Sequence, residues 1–299
     1  MRVALIDFVR AKADPVPDSL EPELRRALNR DERIIMIDRS IAEAALTGIG
    51  YDGSINLSRD EARGLGSAIG CDFFIAGKTE ALTRSEREGE SHEEAYAGLF
   101  VIDGRTGALA CFDFVKEKGV SRASAVDSTA RSIVARAGLY VDRMMAYRRN
   151  LNAPGPPSIE PIEDIPEEGS PRAAGFTPPD FLNRVRPEYP PQAEDANITA
   201  TVEALAVFRA SGEIGLVEVT RWAGFGLDES AERAIRQLKF KPALRDGNPV
   251  TVRALIRYNF RRLSEPASQS DPPAIEAPPD KPALDLRRLF KPTYRRPMR

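Results

Sequence analysis

The sequence predicts a protein of two folded domains, the first mixed α/β and the second α+β. Three observations predict this. Strand and helix patterns alternate over residues 1–150, a ββαβ pattern occupies residues 179–262, and a proline-rich stretch at 151–178 separates the two. A chain of 299 residues is too long for one small domain and suits two domains with connectors.

The first domain opens with a short apolar run at residues 3–9, of the kind found in buried strands. The remaining patterns give the element order β-α-β-α-α-β-β-β-α, ending in one long helix at 122–149. The spacing of a capping box at a helix start occurs twice, at Ser40 with Glu43 and at Ser58 with Glu61. We therefore expect a mixed sheet covered by helices.

Residues 151–178 contain seven prolines and five carboxylates against one arginine. Such a segment buries too little apolar surface to offset its ordering entropy, so we interpret it as a linker. Residues 263–299 are also proline-rich, with a basic end at 284–299, and are expected to be disordered. Apolar side chains within 284–299 suggest weak contact with an anionic membrane, and a charged end without function is the alternative.

The second domain has two alternating strands, 198–208 and 213–222, joined by a turn at Ala210-Ser211-Gly212. Leu227 and Asp228 then open a helix with one apolar face. A turn at 245–248 leads into a last alternating strand, 250–260. A right-handed crossover after a first hairpin gives sheet order 2-1-3, which leaves strand 250–260 at an edge.

This part of the chain resembles the TonB C-terminal domain. The matching motifs fall in the order and at the spacing of that family: Tyr189-Pro190 followed by Ala193, Gly212, Leu227-Asp228 with Ala231 and Ala234, Phe240-x-Pro242-Ala243, and Asp246-Gly247-x-Pro249-Val250. One departure is Ala200, which stands where the family usually has a glycine just before the first strand. It affects a local turn more than the fold.

The resemblance implies a non-enzymatic module of the cell envelope, related to transmembrane transport and located in the periplasm. Its partner would be an outer-membrane transporter or another envelope protein, bound as an extended peptide by strand addition. The partner-binding residues carried over are Tyr189, Pro190, Val250, Thr251, Arg253, Leu255, Arg257 and Asn259. Arginines at 253, 257 and 261 favour an acidic partner. The alternatives for this edge are a homodimer contact or simple solvation.

The first domain resembles the CsgG and TolB amino-terminal type of envelope domain more loosely. The likeness lies in the strand Val3-Ala-Leu-Ile-Asp-Phe8, the strand end Ile37-Asp-Arg-Ser40, Gly70-Cys-Asp-Phe-Phe-Ile-Ala-Gly77 and the strand end before Gly107. It implies a second protein-binding surface without catalysis. The long membrane-inserting hairpins of CsgG have no counterpart in this sequence, so pore formation is not implied.

Composition excludes several functions. A net charge of −2 and a pI of about 5.8 argue against a nucleic-acid partner. The sequence has no apolar run of about 18 residues, the length needed to span a bilayer. The first residues predict a strand rather than a signal peptide, which conflicts with a periplasmic location and keeps a cytoplasmic one open.

Few residues suggest chemistry. Cys71 and Cys111 are expected to be buried free thiols, and a disulfide between them is the alternative. One histidine without a Cys-x-x-Cys motif excludes a structural zinc site. His92 is expected in a polar hairpin loop, without a nucleophile or oxyanion site. Gly48 to Gly53 fits a G-x-G-x-x-G pattern but follows a helical stretch, so we interpret it as a glycine-rich loop. We expect no catalytic residues, metal or cofactor.

One alternative function belongs to a different class. Asp7 and Asp38 end strands expected to be adjacent and parallel, where open α/β sheets often bind ligands. On this hypothesis the chain is a cytoplasmic ligand-binding or enzymatic α/β protein with its site at those strand ends. The simpler explanation is that both carboxylates cap the turns that follow.

Overall fold

The structure is a computed structural model of the chain and describes residues 1–6, 8–10, 20–85, 91–151, 161–167 and 169–261. The described residues divide into two compact units: those within 1–155 together with 223–225, and those within 156–222 together with 226–261. The mixed α/β class expected from the sequence is confirmed. Among the described residues, no helix has both the length and the apolar character needed to cross a membrane.

The described residues of the first unit form six strands and five helices. In chain order they are β1 (Arg2–Leu5), β2 (Val9–Arg10), α1 (Leu20–Leu28), β3 (Ile35–Met36), α2 (Arg39–Gly48), α3 (Arg59–Ile69), β4 (Phe73–Ser85), β5 (Ser91–Asp103), β6 (Leu109–Gly119), α4 (Arg122–Ala135) and α5 (Ala137–Leu151).

These strands form one mixed sheet in the order β3-β1-β4-β5-β6, with β2 also paired to β4. β1 is parallel to β3 and β4, whereas β4, β5 and β6 form an antiparallel meander. Helices α1, α4 and α5 contribute Leu24, Ile133 and Tyr140 to the buried cluster on one face of this sheet. Alternate residues such as Leu99 and Val101 complete that core from β5, as the two-residue period of a strand requires.

Two local details differ from the sequence prediction. The closing helix is interrupted at Arg136, whose guanidinium donates two hydrogen bonds to the carboxylate of Asp113 on β6. At the start of α2, the cap is Asp38 rather than Ser40, because the Asp38 carboxylate accepts from the backbone N–H of Ser40. The capping box of Ser58 and Glu61 is present at the start of α3, as expected.

In the second unit, the residues that the structure describes form two helices and nine strands, with a short 3₁₀ turn at Pro171–Ala173. In chain order the elements are β7 (Glu163–Asp164), β8 (Phe176–Thr177), β9 (Asp180–Phe181), α6 (Pro191–Asp195), β10 (Ala200–Phe208), β11 (Ile214–Arg221), α7 (Leu227–Arg236), β12 (Phe240–Lys241), β13 (Ala243–Arg245), β14 (Asn248–Val250) and β15 (Val252–Phe260).

The main sheet of this unit has the order β11-β10-β15-β7. Its first three strands therefore follow the 2-1-3 order expected for ββαβ. β10 and β15 pair without interruption from Ala200 opposite Phe260 to Phe208 opposite Val252. The β10–β11 ladder shifts register twice, and each shift leaves one extra residue on β11.

Helix α7 packs against β10, β11 and β15. It buries Leu227, Ala231 and Ile235 on its apolar side. The sheet buries every second residue of β15, from Val252 to Phe260, because successive side chains of a strand point to opposite faces. The core of the unit lies between this face and the helix.

Two parts of the prediction for this unit need correction. The last strand does not begin at Val250: this residue ends β14 and pairs with Ala243 in a separate hairpin. The turn of that hairpin is Asp246-Gly247, where both residues have positive φ, as a type I′ turn requires. In addition, the predicted linker contributes β7, and β8 pairs with β13, so that 161–167 and 169–178 hold ordered contacts within this unit.

Candidate functional site

The outer edge of β15 is the principal candidate site. The amide of Glu163 on β7 donates to the carbonyl of Thr251 at 3.0 Å, and β7 pairs with β15 only at Val252 and Arg253. Backbone polar groups of a strand point alternately to its two sides. The outward groups are therefore those of residues 251, 253, 255, 257 and 259. Within the described chain, no strand pairs with residues 254–260 on this side.

Of the predicted partner-binding residues, Arg253, Leu255, Arg257 and Asn259 lie together on this edge strand, on its face away from α7. Their side chains are only partly covered. The Asn259 amide oxygen accepts from the Thr201 hydroxyl at 2.8 Å. This face of the strand is thus polar, with Leu255 as its apolar member.

The arginines on this face are engaged within the chain. Arg257 donates to Glu203 of β10, with an Nε–O distance of 2.7 Å, and Arg221 also pairs with Glu203. Arg253 donates to Oδ1 of Asp164 through Nε at 3.1 Å and Nη2 at 2.8 Å. Arg253 and Arg257 are therefore each paired with an acidic residue in this structure, and one of these acidic residues comes from β7.

Val250 and Thr251 do not belong to the exposed edge. Val250 is part of the β13–β14 hairpin. Thr251 is 3% exposed, and its hydroxyl accepts from the backbone N–H of Ala210 at 2.9 Å. Thr251 therefore contributes a carbonyl to the edge but no side chain.

Tyr189 and Pro190 precede α6, and Tyr189 serves the fold. Its hydroxyl donates to the carbonyl of Ile198 at 2.5 Å, which ties this segment to the start of β10. The ring lies 6.5 Å from that of Phe260, between centroids. Both Tyr189 and Pro190 are half-buried, and their part in partner binding stays a prediction.

Buried Tyr258 anchors the middle of the edge strand from the core side. Its ring is 1% exposed, and its hydroxyl donates to the carbonyl of Val185 at 3.4 Å. Burial raises the pKa of the Tyr258 hydroxyl well above its usual value. The residue stays neutral at physiological pH and has a structural role.

The strand ends of the first unit provide less support for a site. Asp38 is occupied as the cap of α2, and its two hydrogen bonds from Ser40 lower the pKa of its carboxyl. Asp7 lies outside the described residues. The glycine-rich segment is a loop after α2, with positive φ at Gly50 and Gly53, so it lacks the strand before it and the helix after it that a dinucleotide site requires.

His92 lies in a strand rather than in a loop. It pairs with Arg84 across the β4–β5 hairpin, which is longer than the sequence indicated, and its Nε2 lies 2.9 Å from Glu94. Cys71 and Cys111 are free thiols. The described part of the chain has no cluster of three or more histidine, cysteine, aspartate or glutamate residues placed to hold a metal. The basic end at 284–299 lies outside the described residues.

Sequence reasoning missed Glu163 and Asp164. Glu163 also accepts from Arg245 at 2.7 Å, so that both carboxylates of β7 pair with arginines of the unit. The sequence signal was an adjacent acidic pair between two isoleucines, Ile162 and Ile165. In a proline-rich background this signal was too short to indicate a strand.

Comparison with known proteins supports the resemblance found in the sequence. Residues 185–261 match the family model described as Gram-negative bacterial TonB protein C-terminal. The match lies inside the range expected for the second domain, so the predicted resemblance is confirmed over these residues. No curated protein matches the chain at a significant level.

Three solved structures are similar to parts of this chain. The hypothetical protein CT253 from Chlamydia trachomatis is 15% identical, with 47% of this chain and 96% of that chain covered and a TM-score of 0.35. The LpoB C-terminal domain from Salmonella enterica is 10% identical, with 40% of this chain and 82% of that chain covered and a TM-score of 0.29. The TonB C-terminal domain of Pseudomonas aeruginosa is 18% identical, with 35% of this chain and 97% of that chain covered and a TM-score of 0.27. At these TM-scores the likenesses carry no argument about function.

Proposed function

We propose that residues 179–262 form a peptide-binding module that accepts an extended partner strand at the outer edge of β15. The observation that carries this proposal is the edge itself: residues 254–260 have a strand on one side only within the described chain. Unpaired amides and carbonyls along such an edge are a template for an incoming chain.

The regularity of β15 favours this edge over the other edge of the sheet. β15 holds nine consecutive pairs with β10, so its outward groups follow one spacing along the whole strand. β11, at the opposite edge, carries two extra residues that break the spacing of its outward groups. A partner strand needs evenly spaced donors and acceptors, which β15 offers and β11 does not.

The chain that contains this module would be a non-enzymatic protein of the cell envelope, acting in the periplasm. The family match of residues 185–261 supports this assignment. We propose as partner an outer-membrane transporter or another envelope protein, in a role related to transmembrane transport. The first unit, whose sequence resembles the CsgG and TolB amino-terminal type of domain, would supply a second protein-binding surface, with a tether within 151–178.

The test is a proline substitution at an outward amide. Peptides selected by phage display on the full chain would be titrated against the wild type and Leu255→Pro, with binding followed by amide chemical shifts. Proline removes one donor and places a ring in the path of the partner, while costing an edge strand little. The matched control is Leu255→Ala, which removes the same side chain and keeps the amide.

We expect Leu255→Pro to abolish binding and Leu255→Ala to retain it, with shifts along 253–259 in the proteins that bind. Binding that persists in Leu255→Pro, or shifts confined to residues 1–150, would overturn strand addition at this edge. Size-exclusion chromatography of the same variants tests the homodimer. A wild-type dimer that Leu255→Pro converts to monomer would assign the edge to a second copy of the chain.

A further inference from the structure

A segment of the chain itself already lies on the candidate edge. β7 runs parallel to β15, with Glu163 opposite Val252 and Asp164 opposite Arg253. The hydrogen bond from the Glu163 amide to the Thr251 carbonyl uses one of the outward groups that a partner strand would need. Residues 161–167 therefore occupy the first part of the proposed binding edge.

Two ion pairs hold this segment, one on each side of its backbone. Glu163 pairs with Arg245 at 2.7 Å, and Asp164 pairs with Arg253 at 2.8 Å. The guanidinium of Arg245 also donates to the carbonyl of Arg172 and lies 4.9 Å from the centre of the Phe176 ring. Both arginines belong to the body of the unit, so the edge presents two fixed cations to an acidic strand.

The segment is short and weakly held. Only two residues pair, and the Asp164 side chain is 74% exposed, where an ion pair contributes little. The pairing ends at Asp164, and on the preceding side Pro161 lacks the amide that would continue it. Residues 254–260 therefore offer a longer partner more hydrogen bonds than β7 makes.

We infer that residues 161–167 are an internal occupant of the β15 edge, which an extended acidic peptide displaces by adding in the same parallel direction. This inference rests on the function proposed above and deepens it. The partner carries two adjacent acidic residues that replace Glu163 and Asp164 as the ion-pair partners of Arg245 and Arg253. The partner binds only molecules whose edge is open, so the internal strand lowers the apparent affinity for the partner.

The experiment uses the full chain and a synthetic peptide with the sequence of residues 161–167, Pro-Ile-Glu-Asp-Ile-Pro-Glu. The release variant is Glu163→Pro, which removes the amide bonded to Thr251 and one ion pair. The matched control is Glu167→Pro, which removes a glutamate from the same segment outside β7. Thermal melts establish that both variants are folded.

We expect the peptide to bind Glu163→Pro at least fivefold more tightly than the wild type or Glu167→Pro, with shifts at the amides of 253 and 255. A peptide with Lys-Lys in place of Glu-Asp should not bind. Equal affinity for all three proteins, or no binding to Glu163→Pro, would overturn the internal occupant.

A second measurement does not depend on the variants. In the wild type, the Arg253 amide lies between β15 and β7, whereas the Leu255 amide has no paired strand beyond it within the described residues. Hydrogen exchange should therefore be slower at Arg253 than at Leu255, and equal rates would count against the internal strand. Strand addition itself is tested separately, by the binding of the display-selected peptides to Leu255→Pro.

Discussion

The Arg253 guanidinium donates two hydrogen bonds to one oxygen of Asp164, from residues that lie 89 positions apart in the sequence. This contact joins the proline-rich segment to the edge of a sheet. It shows that an acidic residue of a segment expected to be a linker has a defined partner. Because both side chains are exposed, the contact can also be broken at small cost.

Asp164→Asn should therefore change the stability of the second unit very little. An exposed pair of this kind contributes about 0–1 kcal/mol to the free energy of unfolding, and we expect a loss within that range. Chemical denaturation of the full chain, followed at Trp222, provides the measurement. A loss above about 2 kcal/mol would mean that β7 is a structural part of the sheet.

Ile256→Ala, in contrast, should clearly lower the stability of the second unit. Ile256 is 1% exposed on the face of β15 that packs under α7, so truncation leaves a cavity in the core. Large-to-small changes at such sites cost about 2–5 kcal/mol. We expect a lower melting temperature, while Leu255→Ala, one position away on the other face, should melt close to the wild type.

The Asp113 carboxylate organises the break between α4 and α5. It accepts from Arg136 at 2.8 Å and from the buried hydroxyl of Tyr140 at 2.8 Å. Tyr140→Phe removes one charge-assisted hydrogen bond and should lower the stability of the first unit by about 1–3 kcal/mol. Unfolding monitored by circular dichroism gives the value, and an unchanged transition would show that Arg136 alone satisfies the carboxylate.

The two thiols should be inert in the folded chain. Burial raises the pKa of Cys71 to about 12 and that of Cys111 to about 11, so both are protonated at neutral pH. Titration with Ellman's reagent should be slow in buffer and fast in denaturant. Rapid labelling of either thiol in the folded protein would contradict this expectation.

The same shift affects stability at high pH. In the unfolded chain a thiol ionises near its ordinary pKa of 9.0, whereas folded Cys71 resists ionisation up to about 12. The contribution of Cys71 is therefore complete below about pH 9 and is lost as pH rises toward about 12. Cys71→Ser should flatten this part of the pH profile of unfolding.

Limited proteolysis tests the tether. The composition of 151–178 predicts the first cuts there, and the pairing of β7 with β15 predicts that the Glu163–Asp164 bond is protected within that range. Mass spectrometry of early proteinase K fragments locates the cuts. First cuts within 72–117 or 198–260 would contradict the predicted boundaries.

The regular patterns of the sequence predicted the main elements well. The period of α7, the alternation along β10 and β15, and the Asp246-Gly247 turn each have one local cause, and the structure contains all three. The order of the three main strands followed from the handedness of the crossover.

The parts that sequence reasoning missed depend on contacts between distant residues. The helix break at Arg136 coincides with its pairing to Asp113, which lies on another element. The start of β15 depends on the hairpin partner of Val250, Ala243. β7 has two residues, so no periodicity could reveal it, and its position depends on arginines more than 80 residues away.

The two bulges of β11 have a consequence for assembly. A sheet that can grow at both edges can join with copies of itself without limit, as fibres do. Here one edge has an irregular spacing, and its outward groups cannot match those of a straight strand. Under the proposed strand addition, the irregular β11 edge of one molecule would not serve as the strand that docks on β15 of the next, which disfavours open-ended joining of copies of this sheet.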